Sequence, residues 1–412
     1  MAVRFARPML GGASLILAAI AVSGLAGYVL MPVVASQISP SDYRVFATFW
    51  AALYLVILAL SGVQQEIARA TRPRRVPTQR TASAAVFALV VAVAVIVVVV
   101  ASSPLWVTVG FKGGGWLFVA PLAVGAAGYV AVAVVTGILY GLEVWRLIGT
   151  LIAVDGVLKL IAVIVVLPFS RSIDALAWAV VLPIGLTPCI FWAFIRRSVP
   201  GRYELDVGHR NLVWNTSRTV AGSVATGVLM SGFPFILGVL SPWESDDRLL
   251  GALFFAIVLV RAPLATVSMA MQSYLVVAFA SRKSGAARLL ALVTFGTAAL
   301  TVVLTAAAGL LGPWVLSLLG SGYVLSGWVL AGLVGTSGLL AILSVTGAFT
   351  LSRGQHGIFS AGWIGAATVT VGTLVVLPGP VEVRTLVALA LGPAVGVAVH
   401  AVGLGTQAPP VR

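Results

Sequence analysis

Charge is scarce in this chain. Only 9% of its 412 residues are Asp, Glu, Lys or Arg, whereas soluble domains carry about 25%. That deficit excludes a soluble globular protein, because too few side chains remain to face water. Cysteine is nearly absent too. Cys189 stands alone, which excludes an intrachain disulfide and any multi-cysteine metal site. No zinc-ligand spacing, phosphate-binding glycine loop or nucleophile constellation occurs. No enzyme active site can therefore be read, and neither a metal nor a cofactor is expected. Long polar loops are missing as well. The longest, about residues 197–212, carries Pro200-Gly201 and joins two halves of the chain. None is large enough to fold as a catalytic domain.

What fills the chain instead is apolar. The hydrophobic share is 60% and the mean hydropathy is +1.11. Twelve apolar segments follow one another, at about 10–38, 43–68, 81–103, 115–141, 147–168, 173–196, 213–240, 249–280, 287–311, 322–351, 357–377 and 384–406. A spanning helix needs about 20 apolar residues, and each run meets that length. The runs are continuous rather than alternating, which predicts helices and not a barrel. Arg4 and Arg7 precede the first run, which is too long for a signal-peptide core and reads as an uncleaved helix.

The stretch Ser39–Arg75 sets the plan. An Asp- and Pro-containing turn, Ser39-Pro40-Ser41-Asp42-Tyr43, leads into an apolar helix that closes on Arg69, Arg72, Arg74 and Arg75. The plan recurs from Ser241-Pro242, through the acids Glu244, Asp246 and Asp247, to Arg282-Lys283. Pro40 and Pro242 are 202 positions apart, close to half the chain. The expected architecture is an all-α integral membrane protein with about twelve transmembrane helices. They form two six-helix lobes, residues 1–200 and 201–412, related by a parallel pseudo-two-fold repeat.

Loop charges support that count. With the N-terminus inside, 18 of the 25 Lys and Arg residues fall in cytoplasmic segments and five, including Arg44, in outer loops. Positive loops stay in the cytoplasm, so both termini are expected there, in the cytoplasmic membrane. The net charge of +14 would suggest nucleic acid in a soluble protein. Here the arginines read as topological anchors that also touch anionic membrane lipids, with no nucleic-acid partner. Abundant glycine, as in Gly332, Gly335 and Gly338, reads as close helix packing or as hinges.

The two remaining cations, Lys159 and Arg261, fall within helices, where charge is costly and needs a reason. Lys159 and Asp155 are four apart on one face and read as a mutually neutralising pair or an ion-coupling site. Arg261 sits near mid-depth. Pro263 removes a hydrogen bond to the Leu259 carbonyl and should kink the helix there. A guanidinium beside a kink suits a phosphate, which it meets with a planar fork; the plainer reading pairs it with an internal carboxylate or carbonyl. Arg218, beside Asn215, Thr216 and Thr219, is either a snorkelling anchor or a second cationic contact. Glu66 either pairs with Arg69 at i+3 or serves as a gate or ion-coupling carboxylate. His400, alone in the last helix, reads as a hydrogen-bonded packing residue.

The segment Ile38-Ser39-Pro40-Ser41-Asp42-Tyr43-Arg44-Val45-Phe46, followed by Gly62-Val63-Gln64-Gln65-Glu66, resembles one branch of the multidrug/oligosaccharidyl-lipid/polysaccharide (MOP) exporter superfamily. That branch is the polysaccharide biosynthesis, Wzx-like flippases, with a Leu-Gly-Pro-x-x-Tyr-Gly-like turn after the first helix and a glycine late in the second. Here Ser39 precedes the proline and Arg44 replaces the glycine. Leu311-Gly312-Pro313-Trp314 with Gly320-Ser321-Gly322-Tyr323 is similar to that family's pattern between the ninth and tenth helices. The resemblance implies a transporter that flips a polyprenyl-diphosphate-linked oligosaccharide outward by rocking two lobes. It implies a cavity lined by the first, second, seventh and eighth helices, with Glu66, Arg218 and Arg261 near the path as substrate-binding residues. An ion gradient is one candidate energy source.

Two rivals remain. A drug or small-molecule exporter could share this architecture. The major facilitator version carries an Asp-Arg-x-Gly-Arg-like loop, which Arg69-Ala70-Thr71-Arg72-Pro73 does not match, and a cationic drug would prefer internal carboxylates, which are few. A membrane glycosyltransferase or polymerase would need a sizeable outer segment, and these loops are too short.

Overall fold

The computed structural model describes residues 9–73, 82–111, 115–195, 203–241, 247–280, 282, 285–319 and 323–405. Outside that set lie Pro242, Glu244, Asp246, Lys283, Gly320-Ser321-Gly322 and nine arginines, Arg4, Arg7, Arg74, Arg75, Arg80, Arg196, Arg197, Arg202 and Arg412. Backbone in a bilayer must satisfy its own hydrogen bonds, and continuous apolar runs do so as helices. They are α1 (Met9–Ala35), α2 (Pro40–Ala70), α3 (Ala84–Gly110), α4 (Val119–Gly141), α5 (Trp145–Val166) and α6 (Ile173–Ile195). After them come α7 (His209–Gly227), α8 (Phe233–Leu240), α9 (Asp247–Ala280), α10 (Ala286–Leu319), α11 (Gly327–Ser352), α12 (His356–Val376) and α13 (Val381–Gly405). A π-helical turn, Val228–Gly232, joins α7 to α8 into one span. Eleven spans among the described residues are long and apolar enough to cross a membrane, and α9, at 34 residues, is the twelfth long helix. Leu292, Phe295, Val302 and Leu310 of α10 are all exposed. Such a face is stable against lipid and not against water. The chain is a multi-pass, all-α membrane protein.

Two expectations about loops are corrected. Arg44 is not in an outer loop: α2 begins at Pro40, and Arg44 is buried in its first turns. The turn is a helix cap. Ser39 Oγ accepts the Asp42 N–H at 3.1 Å and donates to the Asp42 carboxylate at 2.8 Å, and Pro40 opens the helix where its missing N–H costs nothing. The ninth span does not end near residue 311, and Pro313 lies inside the helix. The apolar run continues to Leu319 as helix. Gly332, Gly335 and Gly338 of α11 lie against Leu386, Thr305 and Thr301, as expected for small-residue packing.

The chain divides into two compact units. One comprises Met1–Leu30, Val56–Ser103 and Trp116–Ser223; the other comprises Met31–Leu55, Pro104–Gly115 and Val224–Arg412. Both draw on both halves of the sequence, and α2 gives one end to each. In the first unit, β1 (Thr71–Pro73) pairs antiparallel with β2 (Tyr203–Leu205). Further on, the Ala82 N–H donates to the Val207 carbonyl at 3.2 Å and the Ser83 N–H to His209 Nε2 at 3.2 Å. The described residues at the two ends of the loop after α2 thus both bond to the segment leading into α7. In the second unit, Tyr43, Phe255 and Tyr323 form an aromatic cluster with centroids 5.0–5.7 Å apart, and Tyr323 Oη donates to the Ala35 carbonyl at 3.0 Å.

Candidate functional site

Arg261 is the deepest cation that sequence reasoning singled out. It is 4% exposed in the second unit. Its Nη1 donates to the Leu229 carbonyl at 2.6 Å, and its guanidinium carbon lies 5.7 Å from the centre of the Phe233 ring. No carboxylate faces it among the described residues, and its Nε and Nη2 have no hydrogen-bond partner there. A buried cation with unused donors is costly, which makes this group the candidate for an incoming acceptor. The side chains around Pro263 lie outside the described set. The partner that holds the arginine is an internal carbonyl, that of Leu229.

The local sequence explains why Leu229 can serve. In the i→i+5 register of a π turn its carbonyl would take the N–H of position 234. Pro234 has none, so the carbonyl is left for a side chain. Helices α9 and α12 pack against this turn. Leu229 and Pro234 are positions of the candidate site that sequence reading missed, although Gly232-Phe233-Pro234 is a visible helix-breaking signal.

Glu66 and Arg218 belong to the first unit. Glu66 is 2% exposed. Arg69 meets its carboxylate with two parallel N–H donors, Nε at 2.8 Å and Nη2 at 2.6 Å. Asn215 Nδ2 of α7 adds a third contact at 3.0 Å. One turn earlier, Thr219 Oγ1 donates to the Gly62 carbonyl at 3.0 Å. A Cβ on Gly62 would stand 2.5 Å from the Val220 nitrogen, so only glycine lets α2 and α7 meet here. Arg218 is exposed on α7. Structure thus brings Glu66 together with Arg69 and Asn215, and does not join Arg218 to them.

Asp155 and Lys159 are joined at 2.5 Å within α5 and largely buried. Arg44, also buried, donates from Nη2 to the Ser241 carbonyl at 3.3 Å. Among the described residues no three His, Cys, Asp or Glu side chains cluster as metal ligands. An apolar groove between α12 and α13, lined by Gly357, Ile358, Ala361, Val395, Val399 and Val402, offers no polar group to an anion.

No protein-family model matches the chain. It is 32% identical over 393 residues to a protein named uncharacterized protein Rv1510 of Mycobacterium tuberculosis (strain ATCC 25618 / H37Rv), covering 92% of this chain and 88% of that one. It is 30% identical over 403 residues to uncharacterized protein Rv3630 of the same strain, covering 94% and 90%. Among solved structures it resembles an inward-facing multidrug resistance MATE family transporter of the MOP superfamily, with a TM-score of 0.68, 16% identity and coverage of 92% and 96%. It also resembles a MOP superfamily transporter from Pyrococcus furiosus whose binding pocket is described as reversed in polarity, with a TM-score of 0.60, 15% identity and coverage of 96% and 95%. The chain therefore belongs to the mycobacterial family of Rv1510 and Rv3630, built on the fold of the MOP superfamily transporters.

Proposed function

We propose that this protein is a transporter in the cytoplasmic membrane, with both termini inside. It carries an anionic, polyprenyl-diphosphate-linked saccharide outward by alternating access of its two six-helix halves. The observation that supports this reading is Arg261: buried, held by one carbonyl, facing no described carboxylate, with two donor groups unused. A diphosphate oxygen completes such a group, while the polyprenyl tail stays in lipid. Glu66, already saturated by Arg69 and Asn215, acts as a gate between α2 and α7 rather than as a drug-binding carboxylate, and Arg218 is a secondary contact for the entering headgroup.

Multidrug export is the second reading, favoured by the likeness to multidrug transporters. The two separate in proteoliposomes. A fluorescent polyprenyl-diphosphate disaccharide, quenched from outside by dithionite, should be flipped by the wild type and at least tenfold more slowly by Arg261→Ala at matched protein amount. Export of a cationic dye with no movement of the lipid probe would replace the saccharide reading with the drug reading.

A further inference from the structure

His400 of α13 is fully buried in the second unit, against α11 and α12. Its Nδ1 lies 2.9 Å from Thr346 Oγ1, and its Nε2 lies 3.3 Å from the Phe359 carbonyl oxygen. Thr346 Oγ1 lies in turn 3.0 Å from the Leu343 carbonyl oxygen. The ring fits because position 362 is glycine; a Cβ there would stand 2.1 Å from Nε2.

Counting protons makes this arrangement informative. Two of the four groups, the carbonyls of Leu343 and Phe359, only accept, and the threonine hydroxyl has one hydrogen. If that hydrogen goes to Leu343, Nδ1 must donate to Thr346. Nε2 must then donate to Phe359 as well, and the ring carries two protons. A neutral ring gives up one contact. With its proton on Nε2, Thr346 turns from Leu343 to Nδ1; with its proton on Nδ1, the bare Nε2 faces a carbonyl. Loss of the Nδ1 proton therefore reorients the hydroxyl that links α11 to α13, and its return restores the first arrangement. Other titratable or charged groups of these helices are Arg353 just beyond α11, His356 at the start of α12, and Glu382 and Arg384 at the start of α13. None of them makes a described hydrogen bond to His400.

We propose that His400 is a reversible proton-binding site, and that it is the coupling site of the transport cycle; the second clause rests on the transporter reading above. The chain has only three histidines, so a His209→Gln/His356→Gln variant carries His400 alone. In liposomes containing this variant with 15N-labelled histidine, the ring resonances should pass from the one-proton to the two-proton pattern as the pH is lowered. Thr346→Val should move that transition, because a hydroxyl serves a charged ring and a neutral ring unequally. A ring that keeps one form throughout, or a transition untouched by Thr346→Val, overturns the site. For coupling, an imposed pH gradient should change wild-type flipping of the lipid probe severalfold and leave His400→Gln, or His400→Asn if the first does not fold, unaffected. An equal response in wild type and variant overturns the coupling role. If the wild type moves no lipid probe, the saccharide reading fails, and the ring titration still decides the proton site.

Discussion

The two compact units treat buried charge differently. In the first, cations meet carboxylates on the same helix: Lys159 with Asp155 at i,i+4 and Arg69 with Glu66 at i,i+3. Such pairs form as soon as the helix forms, so the charge enters the membrane already neutralised. In the second unit, Arg261 is held by a backbone carbonyl from another helical segment and keeps two donors unused. A carbonyl dipole offsets part of the desolvation cost but not the charge. The first arrangement serves stability; the second costs stability, and on the proposed reading an acceptor that arrives later offsets that cost. The two kinds of site should therefore respond in opposite ways when the cation is removed.

The largest effect is expected in the first unit. Lys159→Met strands the Asp155 carboxylate among apolar side chains, and losing one partner of a buried pair costs about 3–5 kcal/mol. Unfolding in detergent should show that loss, and Asp155→Asn combined with Lys159→Met should recover most of it, since a buried pair replaced as a whole is often neutral. If the double variant is as unstable as the single, the two side chains do not act as a pair. Arg261→Met should do the reverse: stability unchanged or raised, with binding of the diphosphate probe weakened. One lost charge-assisted contact is worth about 1.5–3 kcal/mol, or roughly ten- to more than a hundred-fold in affinity. Arg261→Lys should fall between, because an ammonium cannot present the planar fork. Arg261→Met that unfolds the protein while sparing probe binding would make this arginine another structural charge and erase the contrast.

How much of this was legible in the sequence follows from the range of each interaction. Helices were legible because apolar runs are continuous, while the ninth segment, placed at about 287–311, stopped short of Leu319, where α10 ends. The start of α2 was displaced because Ser39-Pro40-Ser41-Asp42 reads equally as a turn or as a cap; the Ser39–Asp42 hydrogen bonds decide for the cap. Pairs at i+3 and i+4 were legible because helical geometry fixes them in advance. Asn215 on Glu66 spans 149 positions, and Leu229 on Arg261 spans 32. Neither can be inferred from local spacing. The depth of Arg261 could be read from its apolar flanks, whereas its partner depended on a π turn.

That π turn supplies the smallest and most discriminating test. Pro234→Ala restores an N–H at the position facing the Leu229 carbonyl, so the backbone can compete with Arg261 for its only described acceptor. The arginine is left in place with its charge intact; only its aim is loosened. A neutral hydrogen bond contributes about 0.5–1.5 kcal/mol, so probe binding should weaken by roughly two- to tenfold. The span itself should be no less stable, since alanine favours a helix interior more than proline does. Combining Pro234→Ala with Arg261→Met should add nothing further to the binding loss, because both act through one guanidinium. Additive losses would mean that Pro234 shapes the site by another route, and that the carbonyl of Leu229 does not orient the arginine.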